Sequence, residues 1–188
     1  TNKTYNTDFH KTTFFKIATQ LKNHTEKCMI SFIDYYKHIR PSLSSQNIYP
    51  LTLEEIREMA YSFRQSISST SIQLNTCTRK VDLSAMGIPA GMCIDRELIA
   101  RLTGYPISTQ KDKNQRDVCR CIESIDIGTY DTCFNGCLYC YANTAEHKPL
   151  RNLQKHDPTS PKLIGQVNDD DIIKDRAMYS LRRDPSLF

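Results

Sequence analysis

The stretch Thr52–Cys77, TLEEIREMAYSFRQSISSTSIQLNTC, decides how the rest of the chain is read. Thr52 followed three residues later by Glu55 is a capping-box signature: each side chain satisfies a backbone N–H that a first helical turn leaves open. Ile56, Met59 or Ala60, Phe63 and Ile67 then recur at helical spacing and form one apolar stripe. Ser68–Ser71 break that stripe, and Ile72–Thr76 (IQLNT) predicts a strand that delivers Cys77 at its C-terminal end. In parallel β/α scaffolds, functional side chains collect at such strand ends.

Upstream the same alternation recurs. Phe14, Ile17, Ala18 and Leu21 share a face over about Lys11–Leu21, and Lys22-Asn23-His24 breaks it. Cys28–Ile33 (CMISFI) predicts a strand that stops at Asp34, and Tyr35–Pro50, rich in Ser and Tyr, reads as irregular. Downstream, a loop with Gly87, Pro89 and Gly91 passes Cys93 and reaches Asp95, a good N-cap. Leu98, Ile99 and Leu102 continue that helix, and Gly104 is placed to end it. A basic loop, Ser108–Asp117, leads to an apolar run at Ile125–Ile127, read as a third strand. After Asn143 the chain is polar and carries Pro149, Pro158, Pro161 and Pro185, with one short helix expected near Asp171–Ala177.

Helix alternating with strand predicts an α/β fold. A closed eight-unit barrel typically needs about 250 residues, more than the 188 of this chain. The expectation is therefore an incomplete (β/α) barrel, the C-terminal part of one. Residues 1–143 would form the partial barrel ending in a cysteine-rich loop, and 144–188 a mostly irregular tail packing on it. The opening at Thr1 and its polar run fit a fragment or a processed form.

A formal charge of +4 is too mild to imply nucleic acid, and no apolar run has bilayer length. No signal-peptide pattern is visible, so a cytoplasmic protein is expected. The eight cysteines suit a metal better than disulfides, because the core is large enough not to need staples and five of them crowd into Cys119–Asn143.

Cys133-x3-Cys137-x2-Cys140, with Gly136 in the turn, places three thiolates where one loop can surround one face of an iron–sulfur cluster. A closed zinc site, with Cys137 and Cys140 as one knuckle, is the alternative reading of the spacing. Cys77, Cys93, Cys119 and Cys121 make a second set of four, for a second cluster or a structural zinc. Cys119 and Cys121 point the same way in an extended segment. Cys28, inside an apolar strand, reads as core. Lys111, Lys113 and Arg116 border the second set in sequence and could neutralise a thiolate cluster; a solvated loop explains them equally. Asp34 and Asp126 are candidates for proton or substrate contacts, with turn or cap roles equally open, while His10 and His24 read as surface residues.

Tyr139 stands immediately before the last cysteine, and the string Asn135-Gly136-Cys137-Leu138-Tyr139-Cys140-Tyr141-Ala142 resembles the cluster motif of radical SAM enzymes, closest to their spore-photoproduct-lyase-like branch. More widely, Ile30–Asp34 (ISFID), Asp82-Leu83-Ser84, Gly91–Asp95 (GMCID), Lys111–Arg116 (KDKNQR) and Ser124–Asn143 resemble a bacterial domain-of-unknown-function family that ends in such a cysteine cluster. The likeness extends to about Asp157. It implies a 4Fe–4S cluster on Cys133, Cys137 and Cys140 with one open iron for S-adenosylmethionine, and Tyr139 beside the adenine. In radical SAM enzymes the motif usually follows the first barrel strand, whereas here several β/α units precede it.

The function expected is that of an iron–sulfur protein, radical SAM-like, acting on an unknown substrate with an external electron donor. A non-enzymatic metal-binding module, holding structural zinc or an electron-transfer cluster, is the alternative. Nucleic-acid binding rests only on the basic loop and the lyase likeness.

Overall fold

The computed structural model describes residues 1–33, 35–77 and 81–183. Their elements are α1 (Thr7–Leu21), β1 (Lys27–Ile30), α2 (Arg40–Ser45), α3 (Leu53–Ser66), β2 (Gln73–Thr76), α4 (Arg96–Thr103) and α5 (Lys148–Leu153), with a 3-10 turn at Ser84–Met86. The chain divides into two units. The first comprises Thr1–Asp34, Asn47–Ser124 and Leu181–Phe188, the second Tyr35–Gln46 and Ile125–Ser180.

The first unit holds the hydrophobic core. Thr52 and Glu55 form the capping box that starts α3, with Glu55 N–H donating to the Thr52 hydroxyl at 3.2 Å and Thr52 N–H donating to the Glu55 carboxylate at 2.7 Å. Its stripe, Ile56, Met59, Ala60, Phe63 and the following Ile67, is buried with Ala18, Ile72, Leu74, Leu83 and Ile88. Phe14 of α1 stacks on Phe63 at 4.2 Å between ring centroids. Cys28 packs against this cluster, as its apolar neighbours implied, and burial pushes its thiol up.

β1 and β2 pair in parallel, Cys28 opposite Leu74 and Ile30 opposite Thr76. The connection between them carries α3, the crossover that parallel pairing requires. Among the described residues this two-stranded sheet is the only one, so α/β holds as a mixed helix and parallel-strand structure, without the further strands of a barrel. Ile125–Ile127 is not a strand; Ile127 is 82% exposed, with no sheet edge paired to it. α4 starts at Asp95, whose side chain accepts the N–H groups of Glu97 and Leu98, and ends at Gly104, which takes a left-handed φ of 77°. The last described residues return to this unit, where Ser108 N–H donates to Leu181 O at 2.8 Å.

The second unit carries α2 and α5, both short and both with a proline in the first turn, where its missing N–H is harmless. No helix forms over Asp171–Ala177: Ile172 and Ile173 are 82% and 81% exposed and have no apolar surface to dock on. Among the described residues, no helix is long and apolar enough to cross a membrane.

Candidate functional site

The end of β2 begins the site in the first unit. Cys77 N–H donates to Ile30 O at 2.9 Å, which fixes the cysteine at the mouth of the parallel pair. The segment 89–91 then runs along the end of β2, with Thr76 N–H donating to Pro89 O and Gly91 N–H donating to Thr76 O, both at 2.9 Å. This approach needs a glycine. A Cβ on Gly91 would stand 2.7 Å from Asn75 Cβ and 3.1 Å from Met29 Cε, too close for any side chain. Two residues on, the Cys93 sulfur reaches 3.4 Å from that of Cys77.

Cys119 and Cys121 arrive from the other side. Lys111 and Ile122 form an antiparallel bridge, Asp112 N–H donates to Cys121 O at 3.1 Å, and Cys119 N–H donates to Arg116 O at 2.8 Å. The loop meets the second cysteine set through its backbone, while the Lys111 ammonium turns to Asp117 O at 2.6 Å. Asp112, buried at its base, accepts the Asn114 N–H at 2.8 Å and was not singled out from the sequence. Ile122 N–H donates to Ile94 O at 3.3 Å, and Ile94 N–H donates to the Cys121 sulfur at 3.4 Å.

The four sulfurs act on one another. Cys93 is exposed as a residue, yet its thiol end is desolvated, and that burial, with the contacts to Cys77 and Cys121, pushes it up to about 12. Burial likewise pushes Cys119 up, with the charges of Cys121 and Cys77 adding to it. Burial would also raise Cys121, but the Ile94 N–H, the Cys119 thiol and the Cys93 N–H and thiol all favour its thiolate, and its pKa falls below the ordinary value. Cys121 is thus the thiol of the set whose charged form its neighbours favour.

Cys93 also lies in the wall of an open cleft of about 750 Å³, together with Lys22, His24, Lys27 and Met92. His24 is therefore a cleft residue. Lys27 is already engaged, donating to Met92 O at 3.2 Å and pairing with Asp95. His10 lies in α1, its ring 5.5 Å from that of Phe9.

In the second unit the triplet Cys133, Cys137 and Cys140 sits on a loop closed at its base. Asp131 N–H donates to Ala142 O at 2.9 Å; Thr144 donates its N–H to the Asp131 carboxylate at 2.5 Å and its hydroxyl at 3.0 Å. The Thr144 N–H, above all, holds that carboxyl below the usual range. From α5, Lys148 approaches the Asp131 carboxylate at 3.7 Å and the Asn152 amide donates to Asp131 O at 3.0 Å. Asn143 donates to Cys133 O at 2.7 Å, leaving its own buried side-chain oxygen without a partner. Inside the loop Cys140 N–H donates to Cys137 O at 2.9 Å, and Gly136 takes a φ of 62°.

Cys133 and Cys137 are exposed and Cys140 is half-buried. Tyr139 is 53% exposed beside them; Tyr141 lies 6.4 Å from the ring of Tyr36. Asp126 serves a turn, accepting Gly128 N–H at 2.8 Å, and Asp34 lies outside the described residues. The Asp131 clasp had no signal beyond an Asp and a Thr thirteen residues apart.

Four thiols from three segments are the donor set of a tetrathiolate centre, and an N–H aimed at one sulfur suits a bound thiolate. Their contacts run pair by pair, from Cys77 to Cys93, to Cys121 and to Cys119. Among the described residues, no group of three or more Cys, His, Asp or Glu side chains stands as a preformed metal site. The donor chemistry fits a soft metal; the sulfurs would have to turn inward to share one.

The chain belongs to the family described as domain of unknown function (DUF1848), whose pattern matches residues 1–142. No curated protein and no solved structure matches it.

Proposed function

We propose that this chain is a cysteine-ligated metalloprotein, an iron–sulfur protein with radical SAM-like chemistry at its second unit. The observation that supports the cysteine-ligated metal is the approach of Cys77, Cys93, Cys119 and Cys121, which lie up to 44 residues apart in sequence (121 − 77), to one another in the first unit, and the spacing of Cys133, Cys137 and Cys140 carries the radical SAM-like part. Thiols gathered this way are costly to keep as mere packing, since burial and the neighbouring sulfurs push Cys93 and Cys119 up and disfavour a second thiolate beside Cys121. A metal relieves that repulsion by holding all as thiolates.

In this reading Cys133, Cys137 and Cys140 would hold a 4Fe–4S cluster, and Tyr139 would contribute to binding S-adenosylmethionine. Such a cluster supplies one-electron chemistry; the chain's part is to hold the loop closed through Asp131 and Thr144 and to present Tyr139. An external reductant and an unknown substrate complete it. The β1–α3–β2 unit would belong to a β/α scaffold of barrel type, and all eight cysteines being free suits a reducing, cytoplasmic setting.

A second reading is structural zinc on the four-thiol set, favoured by the burial of Cys119 and Cys121, which leaves little room for an exchangeable ligand. Anaerobic purification followed by iron, sulfide and zinc analysis separates the two. Iron with matching sulfide supports clusters, and one zinc without sulfide replaces them by the structural site. If a reducible cluster is present, S-adenosylmethionine should yield 5′-deoxyadenosine. No cleavage by the reduced protein would leave electron transfer or structure as its role.

A further inference from the structure

We infer that Cys77 and Cys93 are a dithiol couple that a low-molecular-weight disulfide entering the Lys22–Cys93 cleft oxidises, opening the four-thiol site. Their sulfurs lie 3.4 Å apart, so a disulfide of about 2.05 Å requires a movement of little more than 1 Å. The other two thiols of the set are less accessible. Cys119 and Cys121 are 6% and 7% exposed, whereas Cys93 is exposed and lines the cleft.

The movement is also available. Cys93 sits between the Thr76–Ala90 bridge and the Asp95 cap of α4, in neither a helix nor a strand, while Cys77 is fixed by its N–H to Ile30 O. Cys93 is the partner that can shift.

The step balances. In a loaded site both sulfurs are thiolates; in metal-free protein each thiol gives up its proton as it attacks, and the two protons leave with the expelled RS⁻ as RSH. The Cys93 thiolate attacks the disulfide RSSR, forms a Cys93–SR bond and expels RS⁻; the Cys77 thiolate then attacks the Cys93 sulfur and expels the second RS⁻. Two electrons pass from the cysteine pair to RSSR, which leaves as two thiolates. With two of its four ligands joined to each other, the site releases its metal. The metal release rests on the tetrathiolate reading above; the bond between Cys77 and Cys93 rests on their distance and exposure alone.

The test uses the full-length protein, purified anaerobically and exposed to oxidised glutathione. Aliquots are quenched with N-ethylmaleimide, mapped as peptides by mass spectrometry and assayed for released metal with a chromophoric chelator. Among Cys77, Cys93, Cys119 and Cys121, two thiols should be lost, as a linked Cys77–Cys93 peptide that dithiothreitol reverses, and metal should appear at the same rate. Cys77→Ser should stop the reaction at a Cys93–glutathione adduct, and circular dichroism shows whether that variant is folded; the wild-type map stands without it. A lasting Cys93 adduct in the wild type, or a first bond joining another pair, overturns the inference. Protein that carries no metal but forms the Cys77–Cys93 bond sinks the tetrathiolate reading and leaves the couple standing.

Discussion

The two cysteine sites are built in opposite ways. In the first unit, tertiary structure assembles the thiols: a strand end, a glycine-permitted close approach and an antiparallel return bring Cys77, Cys93, Cys119 and Cys121 together over the core. In the second, Cys133, Cys137 and Cys140 are close only because they are close in sequence, and a ring of polar bonds around Asp131 shuts the loop beneath them. The first site gains desolvation and mutual pKa shifts from its surroundings; the second leaves Cys133 and Cys137 exposed. Damage to the core should therefore erase the first and spare the second, and damage to a carboxylate should do the reverse.

The largest break is Phe63→Ala, which removes the ring stacked on Phe14 and leaves a cavity. It should cost about 3–5 kcal/mol by urea unfolding. Metal bound by the four-thiol set should fall with it, while the Thr144 amide stays protected from hydrogen exchange. Equal loss of both signals would contradict the contrast. Gly91→Val forces a side chain into the 2.7 Å approach to Asn75 Cβ. About 1–3 kcal/mol of stability should go, and the Cys77–Cys93 distance should lengthen, read as slower cross-linking of that pair. Thr52→Ala removes one half of the capping box and should cost about 1 kcal/mol. A metal content unchanged at low temperature would show that α3 needs the cap for stability only.

The smallest effect is a titration. The Asp131 carboxyl lies below its ordinary pKa, held there first by the Thr144 N–H. A depressed folded value means that the clasp contributes fully above the ordinary carboxylate range and loses its contribution as pH falls through the lowered value. In metal-free protein, Thr144 amide protection should hold at neutral pH and decline in acid. Asp131→Asn should remove that acid dependence; a dependence that survives places the titrating group elsewhere.

What the sequence disclosed follows the range of the interactions. Thr52 with Glu55, and Asp95 with Gly104, were readable because capping bonds join residues four or fewer apart and bound a helix locally. The grouping of Cys77, Cys93, Cys119 and Cys121 was suggested by their positions at a strand end, before a helix and in an extended segment, and their contacts run pair by pair. Ile125–Ile127 misled because an apolar run becomes a strand only against a partner edge, which local pattern does not reveal. α2 and α5 were missed because six residues carry too little periodicity to register. The Asp131–Thr144 clasp depends on a positive φ at Asp131 and on side-chain bonds that no short window contains.

One contact has a use beyond architecture. Because the Ile94 N–H points at the Cys121 sulfur at 3.4 Å, any change in charge on that sulfur alters the polarisation of a single backbone amide. Ile94 is thereby a built-in spectroscopic reporter. Its nitrogen and proton resonances should move when the thiolate is protonated, alkylated or bound, giving one assigned peak that follows the occupancy of the site in the intact protein.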